Sequence, residues 1–317
     1  MIGLIKNEWL KLVKQRGTRV MIALLVLITC LFAGLMKYEE SHQADSPTPG
    51  WQEKLQAENA AYKKELTEEQ NLTEVRKDYL EGQININEYR LQHNLPVDTD
   101  MDMQSFVEGS SDLLSFAGLF VLIAAAGIVA NEHTWGTIKL LLTRPVSRVK
   151  ILFSKYAAVI LFGLFLLAVA FTLSSLLGLV LFGASGSSIH LAYENGQVVE
   201  QSMIFHLLKV YVFKFVDVLM FATLAFMVSA VFRSSSLAIG LSSFLLFIGP
   251  TVTMLLSMRY EWTKYLLFAN TDLLQFEEGR TLVSGMTMEF SLVVLAVYYA
   301  VFQILAFIVF SKRDVAA

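Results

Sequence analysis

Lys214 and Asp217 are two ionisable side chains in an otherwise apolar run, VYVFKFVDVLMFATL. Three residues apart, they stand one helical turn from each other and can pair locally on a helix. Ionisable groups at membrane depth are costly and by default mark a path for an ion or substrate. A lysine near the end of a span also reaches the headgroups by snorkelling. Lys214 and Asp217 are therefore the candidate substrate-path residues. A second polar concentration is NEHTWGTIKLLLTRPVSRVK, residues 131–150, set between two long apolar runs. Elsewhere the chemistry is thin. His42, His93, His133, His190 and His206 lack the His-Glu-x-x-His spacing of a zinc site, and no acids cluster in the apolar runs as a carboxylate pair. Asp98, Asp100 and Asp102 alternate as in a calcium loop, but the glycine and the closing glutamate of an EF-hand are missing, which favours a solvated acidic linker. Cys30, the single cysteine, excludes an internal disulfide. No catalytic residue and no metal ligand is expected.

The elements that must carry these residues follow from hydropathy. The chain has 317 residues, 55% of them hydrophobic, and its apolar runs exceed the length of a buried core helix. Six of them approach the ~20 residues needed to cross a bilayer: 20–37, 113–130, 156–182, 212–232, 237–258 and 290–310. Backbone groups in lipid must bond within their own segment, so each is predicted to be helical. The first run is too long for a signal-peptide core and no small-x-small cleavage site follows it, so it is read as a signal anchor.

Charge orients the spans. With the N-terminus inside, the cytoplasmic pieces hold 13 Lys and Arg, against only Glu8, Glu132 and Asp314. The opposite side carries a large loop, 38–109, with 16 Asp and Glu against 6 Lys and Arg. Both termini are thus expected in the cytoplasm of a bacterial cell, with 311–317 as a tail. Residues 1–19 place Ile2, Ile5, Trp9, Leu12 and Val13 on one face and Lys6, Lys11 and Lys14 elsewhere, a pattern suited to a helix lying in the membrane interface. An ordinary basic flank of the first span accounts for the same charges.

Segment 38–112 is predicted to be an extracellular acidic insertion of two or three short helices, with Leu55, Tyr62, Leu66, Leu72, Val75 and Tyr79 at helical spacing. Thr67 before Gln70, and Asn71 before Glu74, have the form of N-caps at a helix restart. Segment 183–211 is predicted to be a plain outer loop. Residues 259–289 are too apolar for a free loop and too broken by Asn270, Thr271 and Asp272 for a span, which suits a re-entrant segment or an aromatic belt at the interface. The fold class expected is all-α: a polytopic membrane protein with six transmembrane helices, an N-terminal interfacial helix and a helical extracellular insertion.

Residues 131–155 then form the longest cytoplasmic loop. Gly136 to Leu142 allow two helical turns, with Thr137, Leu140 and Leu141 on one side and Lys139 on the other. Pro145 stops the helix. Arg144, Arg148 and Lys150 bring positive charge to its C-terminal end, while Glu132 and His133 precede its start. A short amphipathic helix of this kind can fill a groove in a soluble partner. A topogenic loop resting on headgroups requires the same basic residues.

The run NEHTWGTIKLLLTRPVSRVKILFSKY resembles the loop after the second span of ABC-2 type exporter permeases, through Glu132, Gly136, Thr137, Lys139, Leu140, Leu141, Arg144, Pro145, Val146, Ser147, Arg148 and Lys155. FRSSSLAIGLS, residues 232–242, resembles that family's second cytoplasmic turn, with Arg233 and Ser234 as a second contact in 233–236. The resemblance implies a coupling helix that docks on a cytosolic ABC ATPase dimer, a second permease subunit that is either a copy or a paralogue, and re-entrant outer helices at the exit. The chain has no Gly-x-x-x-x-Gly-Lys-Ser/Thr loop, so ATP and Mg are expected on the partner, with no cofactor held by this chain.

The function expected is the transmembrane permease subunit of an ATP-driven ABC exporter, not itself an enzyme, with membrane lipid around it and no nucleic acid partner. The alternative is a sensor or scaffold whose acidic ectodomain reads an external signal while its loop recruits a partner. A secondary transporter is disfavoured, since no repeated pair of interrupted spans is present.

Overall fold

The computed structural model describes residues 1–43, 50–69, 72–95, 101–134, 146–184, 189–194, 196–232 and 234–312. Six helices among them are long and apolar enough to cross a membrane: α2 (Arg16–Gln43), α6 (Leu114–Thr134, preceded by the short α5, Met103–Ser110), α7 (Arg148–Leu181), α8 (Met203–Phe232), α9 (Ser235–Ser257) and α12 (Met288–Lys312). An N-terminal helix, α1 (Ile2–Lys14), precedes them and breaks at Gln15, whose backbone is extended. Its apolar face packs on protein. Leu12 is buried, and the Trp9 ring sits 5.7 Å from Phe165 and 6.5 Å from Phe162 of α7.

α6 and α8 form the centre. In each, 61% of the most apolar stretch is buried, against 17% in α2, α9 and α12, so those three meet the surroundings. Their outward residues, such as Leu31, Leu35, Phe247 and Val293, are large and apolar, which hydrocarbon accepts and water does not. Polar side chains in the middle join neighbouring helices at two places. The Ser229 hydroxyl donates to the Ala126 carbonyl at 2.6 Å and accepts from the Ala130 amide at 3.1 Å, joining α8 to α6. Tyr156 and Thr223 share a hydrogen bond of 2.7 Å between α7 and α8. Such bonds hold membrane helices together where no hydrophobic driving force acts between them.

Both terminal helices end on one side of the bundle, called basal below. Glu8 of α1 lies beside the first turns of α7, and Arg148, the first residue of α7, donates to the Ser311 carbonyl of α12 at 3.3 Å. On the distal side the described residues of the 38–112 insertion hold, besides α5, the helices α3 (Trp51–Glu68) and α4 (Glu74–His93), crossed by a buried Asn59–Asn87 bond of 3.0 Å and a bidentate Arg76–Glu65 pair at 2.8 and 3.0 Å. The Glu65 carboxylate holds the Arg76 guanidinium above its ordinary pKa through this hydrogen bond.

The cap expected at Thr67 is not made. Its hydroxyl turns back to the Lys63 and Lys64 carbonyls, and Thr73 caps α4 by accepting from the Arg76 amide at 3.2 Å. Asn71 lies outside the described residues. A hydroxyl within a helix is free to bond its own preceding turn, so a threonine that closes one helix need not open the next. Asp102, the last of the three alternating acids, is likewise a cap, accepting from the Ser105 amide at 2.9 Å at the start of α5.

The described residues are predominantly helical, as expected. Segment 183–211 adds a detail to that architecture: it contains an antiparallel hairpin, β1 (Ile189–Glu194) and β2 (Gln197–Ser202), with Ile189 opposite Ser202 and Glu194 opposite Gln197, and α8 begins directly after it at Met203. Asn195-Gly196 between two short runs is a hairpin signal, and Gly196 takes a positive φ of 84°. The hairpin packs on α4, where the absent side chain of Gly82 leaves room for the Tyr193 ring. Residues 259–289 fold into broken short pieces, a 3-10 turn at Glu261–Tyr265, α10 (Leu267–Asn270) and α11 (Leu274–Glu277). They are pinned to the bundle. Asn270 bonds the Lys264 and Leu266 carbonyls and accepts from Ser291 of α12 at 2.7 Å, while Phe268 stacks on Phe221 of α8.

Candidate functional site

At the basal end a lysine is buried among carboxylates. Lys155 of α7 is fully enclosed, and its ammonium donates to Glu8 of α1 at 2.9 Å and to Glu132 at the end of α6 at 2.7 Å. Lys11 closes the cluster with a 2.6 Å bond to Glu132 from a half-exposed position. Among the described residues two cations face two anions, a balance that favours charged over neutral forms on burial. Glu8 sits on the buried face of α1 because it lies four residues before Leu12, the other buried position of that helix.

Glu132 was expected in a docking surface. It is turned inward on Lys155 and is itself buried, so among the described residues it ties the end of α6 to α7 and α1. Gly136, Thr137, Lys139, Leu140, Leu141, Arg144 and Pro145 lie outside the described residues, as does Arg233. Arg148, at the far end of the loop, reaches the Ser311 carbonyl. Ser234 caps α9, its hydroxyl accepting from the Leu237 amide at 3.4 Å. The described residues on either side of 135–145 are therefore anchored to three different helices, α1, α7 and α12.

Toward the distal end, Lys214 and Asp217 do not pair with each other. Lys214 reaches across to Asp112, in the turn before α6, at 3.0 Å. The reason is rotational: Asp112 is largely exposed and offers Lys214 a carboxylate near the end of α6, while Asp217, one turn deeper, faces between helices. Asp217 lines a cavity of about 620 Å³ enclosed by α6, α8, α9 and the 261–282 segment. Thr271 and Asp272 of that segment line the same cavity. Most of the wall is apolar, including Phe221, Phe247 and Phe268. Gly249 lets Phe268 approach α9 so closely that a Cβ there would stand 2.6 Å from its ring, and Pro250 beside it offers no amide to the Leu246 carbonyl one turn back.

A third cluster was not anticipated. His190 of β1 stacks on His206 of α8 with ring centres 3.8 Å apart and 13° between planes, and His206 Nε2 lies 3.3 Å from Glu108 of α5. Burial, then the neighbouring His206, pushes the His190 pKa below the ordinary histidine value. Among the described residues, no group of three or more His, Cys, Asp or Glu is placed to hold a metal ion.

A bundle of six long apolar helices, with a sealed ionic cluster at one end and an apolar cavity toward the other, defines a multi-pass helical membrane protein. The chain belongs to the family described as Protein of unknown function (DUF2705), whose model matches residues 80–316. It is 49% identical over 319 residues to "Uncharacterized protein YhcI" of Bacillus subtilis (strain 168), with the whole of both chains covered. It is 30% identical over 219 residues to "Uncharacterized membrane protein YdbK" of the same organism, covering 68% of this chain and 85% of that one.

These matches correct the resemblance to ABC-2 type exporter permeases drawn from residues 131–155 and 232–242. The family that matches is DUF2705, and neither relative carries the ABC-2 description. The physical reason is that basic residues and a proline stop between two spans are demanded of many inside loops by topology alone. A motif so short does not specify a family.

Proposed function

We propose that this chain is the membrane permease subunit of an ATP-driven exporter, acting as a dimer with a copy or a paralogue in a bacterial plasma membrane. Both termini and segment 131–155 face the cytoplasm, where that segment docks on a separate ABC ATPase that binds ATP and Mg. This chain supplies no catalysis of its own. The observation that carries the proposal is the buried Lys155–Glu132–Glu8 cluster. It makes α1, α6 and α7 one mechanical unit at the base of the loop, so a push on the loop moves three helices together, and α6 also lines the distal cavity. Packed elements with two discrete arrangements transmit such displacements better than compliant ones. The distribution of basic residues supports the assigned orientation.

The test is a mild-detergent pull-down of the complex from its native membrane, comparing wild type with Leu141→Asp and Arg144→Glu, with copurified proteins identified by mass spectrometry. A P-loop ATPase recovered with wild type and lost with either variant, while membrane insertion is unchanged, is the expected result. Its absence from wild type after crosslinking, with recovery of a kinase or other signalling protein, points instead to the sensor or scaffold reading.

A further inference from the structure

The distal cavity combines properties that select a ligand. Its volume, about 620 Å³, falls within the roughly 300–1,000 Å³ of small-molecule sites. Phe221, Phe247 and Phe268 give it aromatic carbon surface, and the acids on its wall are Asp217, Asp272 and Glu278. Both cations on the wall are engaged by carboxylates: Lys214 by Asp112 at 3.0 Å, and Arg280 by Glu278 at 3.6 Å. Asp272 uses one oxygen to accept from the Leu274 amide. Among the described residues no Lys, Arg or His lies within ion-pairing distance of Asp217, and Lys214, one turn away on the same helix, turns to Asp112 instead.

We propose that this cavity binds an amphipathic cation, its charged group against Asp217 and its apolar body against the phenylalanines. An anion would meet a surplus of carboxylates, and a neutral ligand would leave Asp217 desolvated without compensation, which is costly. A cation offsets that charge and gains further from the aromatic faces. Access is at α9, where Phe247 and Met254 line the cavity yet remain largely exposed on the outside of the bundle, so a ligand dissolved in the bilayer reaches it sideways. As a transported substrate this ligand rests on the exporter reading above; as a bound ligand it does not. The chemistry is shared by a lipid with an amino headgroup and by a freely diffusing amphiphile.

The test uses the full chain purified in an uncharged detergent and titrated with tetraphenylphosphonium and tetraphenylborate, ions of nearly equal shape and opposite charge. The expected result is saturable binding of the cation alone, weakened about tenfold or more by Asp217→Asn, with a wild-type elution profile on size exclusion. Displacement by phosphatidylethanolamine identifies a lipid headgroup as the source, and displacement by dodecyltrimethylammonium a free amphiphile. Equal binding of both ions to wild type overturns the proposal without needing any variant, as does an unchanged affinity in a folded Asp217→Asn protein. Selective cation binding with no ATPase in the pull-down preserves this inference while removing the exporter.

Discussion

Lys155 Nζ lies 2.7 Å from Glu132 Oε1, a contact between residues 23 apart that fastens α7 to α6 across the base of the intervening loop. Both side chains are almost fully enclosed, and Glu8 joins them from the N-terminal helix. Three segments of the chain thus depend on one ammonium group.

Replacing that group strands Glu8 in a buried place and leaves Glu132 to Lys11 alone. Lys155→Met is expected to destabilise the folded protein by about 3–5 kcal/mol, the usual cost of stranding a buried charge. The triple variant Glu8→Gln, Glu132→Gln, Lys155→Met should recover most of the loss, because none of the three buried charges remains and Lys11, half-exposed, keeps its ammonium hydrated. Thermal unfolding of the purified proteins in one detergent checks both. Equal melting of wild type and Lys155→Met would mean the cluster contributes nothing.

Gly279 follows α11 in a left-handed backbone, φ 62°, and a Cβ there would collide with Tyr79 of α4. This contact, with the Thr281–Thr73 hydroxyl pair at 3.5 Å, fastens the α3–α4 insertion to the segment that roofs the cavity. Gly279→Ala combines an unfavourable φ with a backbone-level clash and is expected to cost about 2–4 kcal/mol. Limited proteolysis should show faster cleavage within 50–95, with Gly285→Ala as a control, since Gly285 also has a positive φ but has open space around it.

Acid should loosen the β1–β2 hairpin. The His190 pKa is lowered in the folded protein by burial and by His206, with Glu108 and Glu277 acting in the opposite sense and Arg90 in the same one. The unfolded chain therefore binds a proton more readily than the folded one. The stabilisation is fully present above the ordinary histidine value of 6.5 and is lost as pH falls from there through the lower folded value. Hydrogen exchange at the amides of 189–202, corrected for intrinsic rates and compared at about pH 7.5 and about pH 5.5, should show lower protection in acid. In His190→Gln that dependence should flatten.

The comparison of residues with structure separates two kinds of information. Lys214 and Asp217 could be recognised as unusual from one line of sequence, but their relation could not: spacing favoured a local pair, and the rotation of α8 against α6 gave Lys214 to Asp112 instead. Lys155 was singled out in the sequence only as part of a loop motif, and its pairing with Glu8 was not visible because the two lie 147 residues apart. The hairpin did have a local signal in Asn195-Gly196, obscured by the loop-like composition around it.

What the sequence by itself determined is the set of long apolar helices and the polar stretches between them. The reason is that a span must satisfy its backbone within its own residues, so hydropathy over ~20 positions suffices to define it. Only the tertiary structure decided which helices became neighbours and how each was turned. Those choices brought Glu8 and Glu132 to Lys155, carried Lys214 away from Asp217, and opened a cavity beside the carboxylate left behind. Packing sets them because one apolar helix face resembles another in hydropathy, and fit and a few buried polar bonds distinguish the arrangements.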